Sequence, residues 1–308
     1  MQIIDILRKI YSRLSRYCRR LLPDKCYLKW QWKREMGYVF DWDNPRTVNE
    51  KMMWLKLNDR QPLFTTLVDK VEVKSWIMNN YGSEMLIPTY RVYDSADQIN
   101  LEELPNEFVI KCNHDSGTVF ICKDKANGVF LDKHMHRQSF DDIQKYLKKR
   151  LKHSFYKDAR EWPYKNVIPK IIVEKLMTKK DGSLPNDYKL FFINDEFQFV
   201  YVSFDRAGVN DRCIYDREWK RLPFVWVKPY DYRDGINSSD VERPASFQEM
   251  LDFGKAVAKP FKCVRVDLYD VDGKMYFGEI TPFHSAGYAR FYPNEYDLFY
   301  GEKIDLHR

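Results

Sequence analysis

The 308-residue chain is poor in glycine and proline, with 12 and 14 residues, which excludes a collagen-like or linker-rich organisation. No window carries the run of about 18 apolar residues that a spanning helix needs. Mean hydropathy is −0.60, so an integral membrane protein is not expected. Six cysteines stand at positions 18, 26, 112, 122, 213 and 263 with no CxxC pair. Neither a zinc site nor a disulfide framework is suggested, and the simplest compartment is the cytoplasm. There is no clean apolar h-region with a small-residue cleavage site, so no secretory signal is read. Neither GxGxxG nor GxxxxGK followed by Ser or Thr occurs, so two common nucleotide-binding folds lose their sequence support.

What is present is a globular composition, 44% hydrophobic, 16% aromatic and 31% charged. The net charge of +6 is unevenly placed. Residues 1–35 carry ten Lys and Arg against Asp5, Asp24 and Glu35, or +7, which leaves −1 for the rest. A near-neutral body argues against nucleic acid as a partner. Ile3, Leu7, Ile10, Leu14 and Leu21 recur at helical spacing with bases between them, which makes a basic amphipathic helix. It can lie on the inner leaflet of a membrane or dock on the protein's own body, and both readings stand.

Along the chain, Val48–Leu57 and Leu67–Met78 read as helices, and Ile87–Tyr93 as a strand. Glu107–Cys112 and Thr118–Cys122 form a hairpin around Asn113-His114-Asp115-Ser116-Gly117. Phe140–Leu151 and Phe247–Ala258 are helical, residues 152–166 are loop-like, and Val167–Met177 is strand-like. Two further hairpins join 187–193 to 197–204 and 264–271 to 275–280, the latter through Asp272-Gly273. The fold class is α+β with two lobes.

The most informative stretch is that last hairpin. Arg265, Asp267 and Tyr269 alternate onto one face of the first strand, and Glu279 and Thr281 share a face on the return strand. Asp267 and Glu279 can then meet on one surface, where two carboxylates need a compensating cation such as Mg²⁺. The alternative is a half-solvated hairpin in which Arg265 neutralises Asp267. Lys111, at the end of an apolar strand before a Ser-Gly loop, is placed to meet an anion or simply to snorkel out of the sheet.

These residues resemble the ATP-grasp superfamily, and more narrowly its TupA-like branch, linked to teichuronopeptide and surface-polysaccharide biosynthesis. The resemblance runs from about Pro45 to Asp305. Its stations are Leu67-Val68-Asp69-Lys70 with Val73-Lys74, then Phe108-Val109-Ile110-Lys111 with His114-Asp115-Ser116-Gly117. Ile171-Ile172-Val173-Glu174-Lys175-Leu176-Met177 follows, then Asp187-Tyr188-Lys189, and finally Arg265-Val266-Asp267 with Glu279-Ile280-Thr281. Thr281 stands where D-alanine–D-alanine ligase-like members carry Asn.

The resemblance implies an ATP-grasp fold, two α/β lobes with nucleotide between them. Residues 1–44 would form the basic helical N-terminal segment and 45–308 the catalytic domain, with an N-lobe of about 100–178 and a C-lobe of about 179–308. It implies an ATP-dependent carboxylate–amine ligase that makes an amide through an acylphosphate. The amine would be a small molecule or amino acid, and the carboxylate that of a uronic acid in a bacterial surface polysaccharide or its precursor. Asp267, Glu279 and Thr281 would hold two Mg²⁺ ions. Lys70, Lys111, Ser116, Gly117 and Lys189 would meet phosphates, Glu174, Lys175 and Met177 adenine, and Asp187 ribose. Arg265 and Lys111 would be catalytic. The alternatives are a glycosyltransferase of the same pathway, for which Asp270-Val271-Asp272 is a formal DxD, a kinase-like phosphotransferase, and a membrane- or nucleic-acid-binding module driven by residues 1–35. The expected location is the cytoplasm, peripheral at the inner membrane surface.

Overall fold

The structure, a computed structural model, describes residues 18–204, 211–232 and 240–307. Most of the helix expected at residues 3–21 lies outside them; Cys18–Arg20 are helical. Helix α1 (Asp24–Met36) ends at Gly37, whose φ of +84° suits a residue without a Cβ. It buries Leu28, Trp32 and Met36 against Trp42, Met53 and Tyr288. Arg20 of this segment is spent on the body, donating to Asp158 at 2.8 Å, while Arg19 and Arg34 lie over the ring of Trp30 within the segment itself.

Helix α2 (Val48–Asn58) opens with a capping box between Thr47 and Glu50. The single helix expected over Leu67–Met78 is two, α3 (Pro62–Val68) and α4 (Glu72–Tyr81). The cause is Asp69, whose Oδ1 accepts from the backbone N–H of Val71 at 2.8 Å. A side chain that bonds its own backbone two residues on competes with the helix. The break turns Lys70 out of the helix.

The first sheet has six antiparallel strands in the order β1-β6-β2-β3-β4-β5. They are β1 (Thr89–Tyr93), β2 (Phe108–Cys112), β3 (Val119–Asp124), β4 (Val129–Asp132), β5 (Arg137–Gln138) and β6 (Ile171–Glu174). Alternation on β2 sends Phe108, Ile110 and Cys112 to one face. There they pack with Ile143 and Leu147 of helix α5 (Phe140–Leu151), which is capped by Ser139. Val109 and Lys111 point to the other face. The loop-like stretch 152–166 holds a short helix, α6 (Phe155–Ala159), and a 3-10 turn at Trp162–Lys165.

The second sheet has five antiparallel strands in the order β12-β11-β7-β8-β9: β7 (Asp187–Ile193), β8 (Glu196–Phe204), β9 (Asp211–Tyr215), β11 (Cys263–Val271) and β12 (Lys274–Thr281). Tyr188, Leu190, Phe192, Val264, Val266 and Leu268 face helix α7 (Phe247–Ala258), with Phe64, Leu67, Val73 and Ile77 of α3 and α4 in the same cluster. Phe191, Ile193 and Cys263 face the other way. They are covered by the two-stranded pair β10 (Val225–Val227) and β13 (Arg290–Tyr292), by α2, and by Tyr300 of helix α8 (Glu295–Lys303). That second face is apolar at one end and charged at the other, and the charged end is the site.

Candidate active site

The site begins with a register shift. The turn at Asp272 and Gly273, with φ of +53° and +86°, pairs Val271 with Lys274 and continues in step to Leu268 with Phe277. In that register Asp267 would oppose Gly278, and Glu279 would face the core with Val266. Instead Gly278 is left unpaired, and Asp267 opposes Glu279. This is a β-bulge, and one extra residue moves everything beyond it to the opposite face. A Cβ on Gly278 would lie 2.8 Å from the Asp267 carbonyl oxygen, so only glycine fits without displacement. The bulge brings Glu279 and Thr281 to the surface that already carries Arg265 and Asp267.

Three cations and three acids interlock there. Arg265 grips Asp267 with both arms of its guanidinium, at 2.6 and 2.8 Å, and reaches Thr281 at 3.2 Å and Glu279 at 3.4 Å. Lys189, the cross-strand partner of Asp267 on β7, donates to it at 3.0 Å and also bonds Asp187. Lys70 stands 3.6 Å from Glu279 and donates to the Asp115 carbonyl at 2.7 Å, tying the two sheets together. Asp267 is 2% exposed. Burial raises its pKa, with Arg265 and Lys189 opposing. For Glu279 burial also acts upward, but Lys70 and Arg265 outweigh it and hold the carboxyl below its ordinary value. Burial and the adjacent Arg265 push His284 well below the usual imidazole range, so the neutral ring accepts from Arg265 through Nδ1.

On the facing sheet, Glu174 on β6 bridges two lysines. Lys111 on β2 donates to it at 2.7 Å, and Lys74 on α4 pairs with its other oxygen. Burial alone would raise the Glu174 pKa, but the two ammonium groups pull it down to about 2. Burial works against the Lys111 charge, and Glu174, with Tyr269 and Glu279 of the second sheet, overcomes it and raises the pKa. Beside this bridge Val109, Ile121 and Leu176 form an apolar patch.

The remaining expected residues are spread around this centre. Lys175 is exposed and gives its N–H to the Pro88 carbonyl at 2.9 Å, and Met177 is half-buried. Ser116 and Gly117 are exposed at a loop tip, Gly117 with φ of +92°. The loop beneath them is anchored: Asn113 donates to Asp69 at 2.9 Å, and buried Asp115 accepts from Arg150 and Thr118 at 2.7 Å. The loop is therefore fixed at its base, and its exposed part is the Ser116–Gly117 tip. Sequence reasoning gave no role to Lys74, Arg150 or Glu161. Lys74 carried the only signal, one helical turn after Lys70.

Ser116, Gly117, Arg265, Glu279 and Thr281 also line a cavity of about 830 Å³, with Gln31, Glu35, Phe155, Glu161, Tyr164, Lys228 and Tyr288 among its other walls. Helix α1 therefore builds part of the site.

Two antiparallel sheets that face lysines from one side and an Arg-Asp-Glu cluster from the other define an ATP-grasp protein. The sequence model of the TupA-like ATP-grasp family matches residues 50–305, and the chain belongs to that family. No curated protein sequence matches it. Among solved structures, it is similar to D-alanine–D-alanine ligase from Bacillus anthracis complexed with ATP, at 15% identity over 70% of this chain and 54% of that one, TM-score 0.38. Phosphoribosylamine–glycine ligase from Thermotoga maritima gives 12%, 71%, 48% and 0.40. The ATP-grasp ligase PsnB with minimal precursor, Mg and ADP gives 9%, 76%, 57% and 0.37. The chain spans about half the length of these structures. Among the described residues no helix is long and apolar enough to cross a membrane.

Proposed function

We propose that the protein is an ATP- and Mg²⁺-dependent carboxylate–amine ligase that forms an amide through an acylphosphate. Its carboxylate would be that of a uronic acid in a surface polysaccharide or its precursor, and its acceptor a small amine or amino acid. The observation that carries the reading is the bulge-set pairing of Asp267 with Glu279 among Arg265, Lys189 and Lys70, opposite the Lys111–Glu174–Lys74 bridge. Family membership supports the reaction class, and the polysaccharide setting rests on the resemblance to the TupA-like branch and on the basic N-terminal segment.

The donor set fits Mg²⁺. Asp267, Glu279 and Thr281 offer only hard oxygen atoms, and their neighbours are cations that phosphate oxygens would attract. When bound, the ion would screen the charge of the transferred phosphoryl group. Lys111, Lys70 and Lys189 would meet the phosphates, with the Ser116–Gly117 tip over them. The Val109–Leu176 patch with Glu174, Lys175 and Met177 would take the adenine, and Asp187 the ribose. Arg265, held rigid by Asp267 and His284, would stabilise charge on the acyl carbon's oxygen as the amine attacks.

The working division is 1–44 and 45–308, with lobes of about 100–178 and about 179–308. The lobe boundary falls between the last strand of the first sheet and the first of the second. Residues 1–35 would contact the inner leaflet through the bases not spent on the body.

Calorimetry of ATP with Mg²⁺ tests the site. Wild type binds, and Lys111→Ala binds at least about tenfold more weakly, the loss of one charge-assisted contact. An absence of ATP binding under every metal condition overturns the reading.

A further inference from the structure

The cavity beside the acidic cluster contains an acid that the nucleotide chemistry does not use. Glu161 lies between α6 and the 3-10 turn that follows it, makes no capping hydrogen bond, and is 4% exposed. Among the described residues its carboxylate has no hydrogen-bond or ion-pair partner, yet it lines the same 830 Å³ space as Arg265, Glu279 and Thr281. An unpartnered buried carboxylate is costly and calls for an account. Lys56 is the cation that acts most on it. However, the buried Lys56 ammonium is spent on the carbonyls of Ala159 and Ala286, at 2.8 and 2.7 Å.

The cavity also holds the opposite charge. Lys133 and Lys228 line it, and among the described residues neither has a carboxylate partner. Lys228 instead lies 5.8 Å from the centre of the Tyr230 ring. A chamber lined by one unpartnered acid, by exposed Lys133 and by half-buried Lys228, neither of which pairs with a carboxylate among the described residues, complements a molecule that carries both signs.

We propose that this cavity receives the acceptor as a zwitterionic amino acid, with its ammonium on Glu161 and its carboxylate toward Lys133 and Lys228, and that Glu161 is the base that frees the amine for attack. The proposal rests on the ligase reading above. The acceptor enters as R–NH₃⁺ and gives one proton to the Glu161 carboxylate. The freed lone pair attacks the acyl carbon and the C–N bond forms. The tetrahedral adduct then breaks its bond to the phosphate oxygen. Phosphate leaves with that electron pair and takes the second proton, and the amide nitrogen keeps the third. Burial lifts the Glu161 carboxyl to about 7, with Lys56, Arg265 and Lys228 pulling down and Glu279 pushing up. That places a base near neutral pH, where it is most effective.

The test separates donor activation from acceptor use. Wild type and Glu161→Gln are given ATP, Mg²⁺ and D-glucuronate or D-galacturonate. The nucleophile is either hydroxylamine, which is neutral at pH 7 and needs no base, or L-alanine, L-aspartate or L-lysine, each compared with its carboxamide. Wild type yields both hydroxamate and amide and prefers the free amino acid to its carboxamide. In Glu161→Gln the ratio of amide to hydroxamate falls about 100-fold or more, the scale of a lost general base, and Glu161→Asp recovers part of it. The thermal midpoint of Glu161→Gln holds or rises, because an uncompensated charge has gone. If wild type forms no hydroxamate, the ligase reading fails and takes this proposal with it. If hydroxamate forms but the ratio is unchanged in Glu161→Gln, Glu161 is not the base, and the ligase reading survives. Equal loss of both products with a lower midpoint makes Glu161 a structural counter-ion of Lys56. Equal use of amino acid and carboxamide overturns the zwitterionic acceptor.

Discussion

Asp267 and Glu279 are directly opposed across two strands because Gly278 between them has no partner. The acidic pair is thus a product of register, and register here is a product of one residue with no side chain. A regular hairpin built from the same turn would bury Glu279 beside Val266 and leave the Arg265 face one carboxylate short.

Gly278→Ala should therefore do more than crowd the strand. The new Cβ meets the Asp267 carbonyl at 2.8 Å and the Tyr269 ring at 3.1 Å. The expected cost is about 1–3 kcal/mol from overpacking, and the displaced Glu279 should weaken Mg²⁺-dependent ATP binding more than metal-free binding. Urea denaturation and calorimetry with and without Mg²⁺ read the two effects. A fully stable variant with unchanged metal dependence would show that the pair does not need the bulge.

Glu174 makes a prediction about acid. Its folded pKa is about 2, against an ordinary 4.5, because Lys111 and Lys74 favour the ionised form. A depressed acid contributes stability that is whole above 4.5 and drains away as pH falls toward 2, on the order of 3 kcal/mol. Glu174→Gln takes the shared carboxylate from two half-buried ammonium groups and should cost about 3–5 kcal/mol at neutral pH, with a shallower loss below pH 4.5. Denaturant midpoints from pH 7 to pH 3 check this, and parallel curves for wild type and variant would contradict it.

The helices Phe140–Leu151 and Phe247–Ala258 were legible from sequence at the bounds observed, because each carries its own apolar stripe. The Asp272-Gly273 hairpin was legible because its turn residues are local. The Arg265, Asp267 and Glu279 positions were legible as types in a pattern, yet the bulge that lets them meet was not, since a lone glycine in a strand does not say which register wins. Asp69 hid the helix break, because an Asx turn looks like one polar residue in a helical run. Glu161 could not be found at all. Its surroundings come from Lys56, Tyr164 and the 279–286 segment, far apart in sequence, and its own stretch read as loop.

Arg265→Lys separates charge from geometry. The lysine keeps the cation but cannot grip Asp267 with two arms or reach Thr281 and His284 at once. Turnover should fall about 100-fold or more, while affinity for ATP changes much less. Single-turnover amide formation beside ATP calorimetry distinguishes the two. Equal losses in both would place Arg265 in nucleotide binding and not at the acyl centre.

Glu161 carries the opposite pH signature to Glu174. Its pKa is raised from 4.5 to about 7 by burial, so the folded state holds a proton that the unfolded state has lost. The stability tied to this group is fully present below 4.5 and is lost as pH rises through 7. Linkage sets the deficit at about 3 kcal/mol at pH 8 and about 1 kcal/mol at pH 5. Glu161→Gln removes the deficit at every pH, so its advantage over wild type should widen from pH 5 to pH 8. Asp267, Glu174 and the other shifted groups are the same in both proteins and cancel in the difference. Denaturant midpoints of the pair at the two pH values give the answer. A constant gap would mean that the Glu161 carboxyl finds a partner in solution that the cavity does not supply, whereas a widening gap shows a fold that tolerates a destabilising acid, as expected where a charged side chain is kept for a substrate.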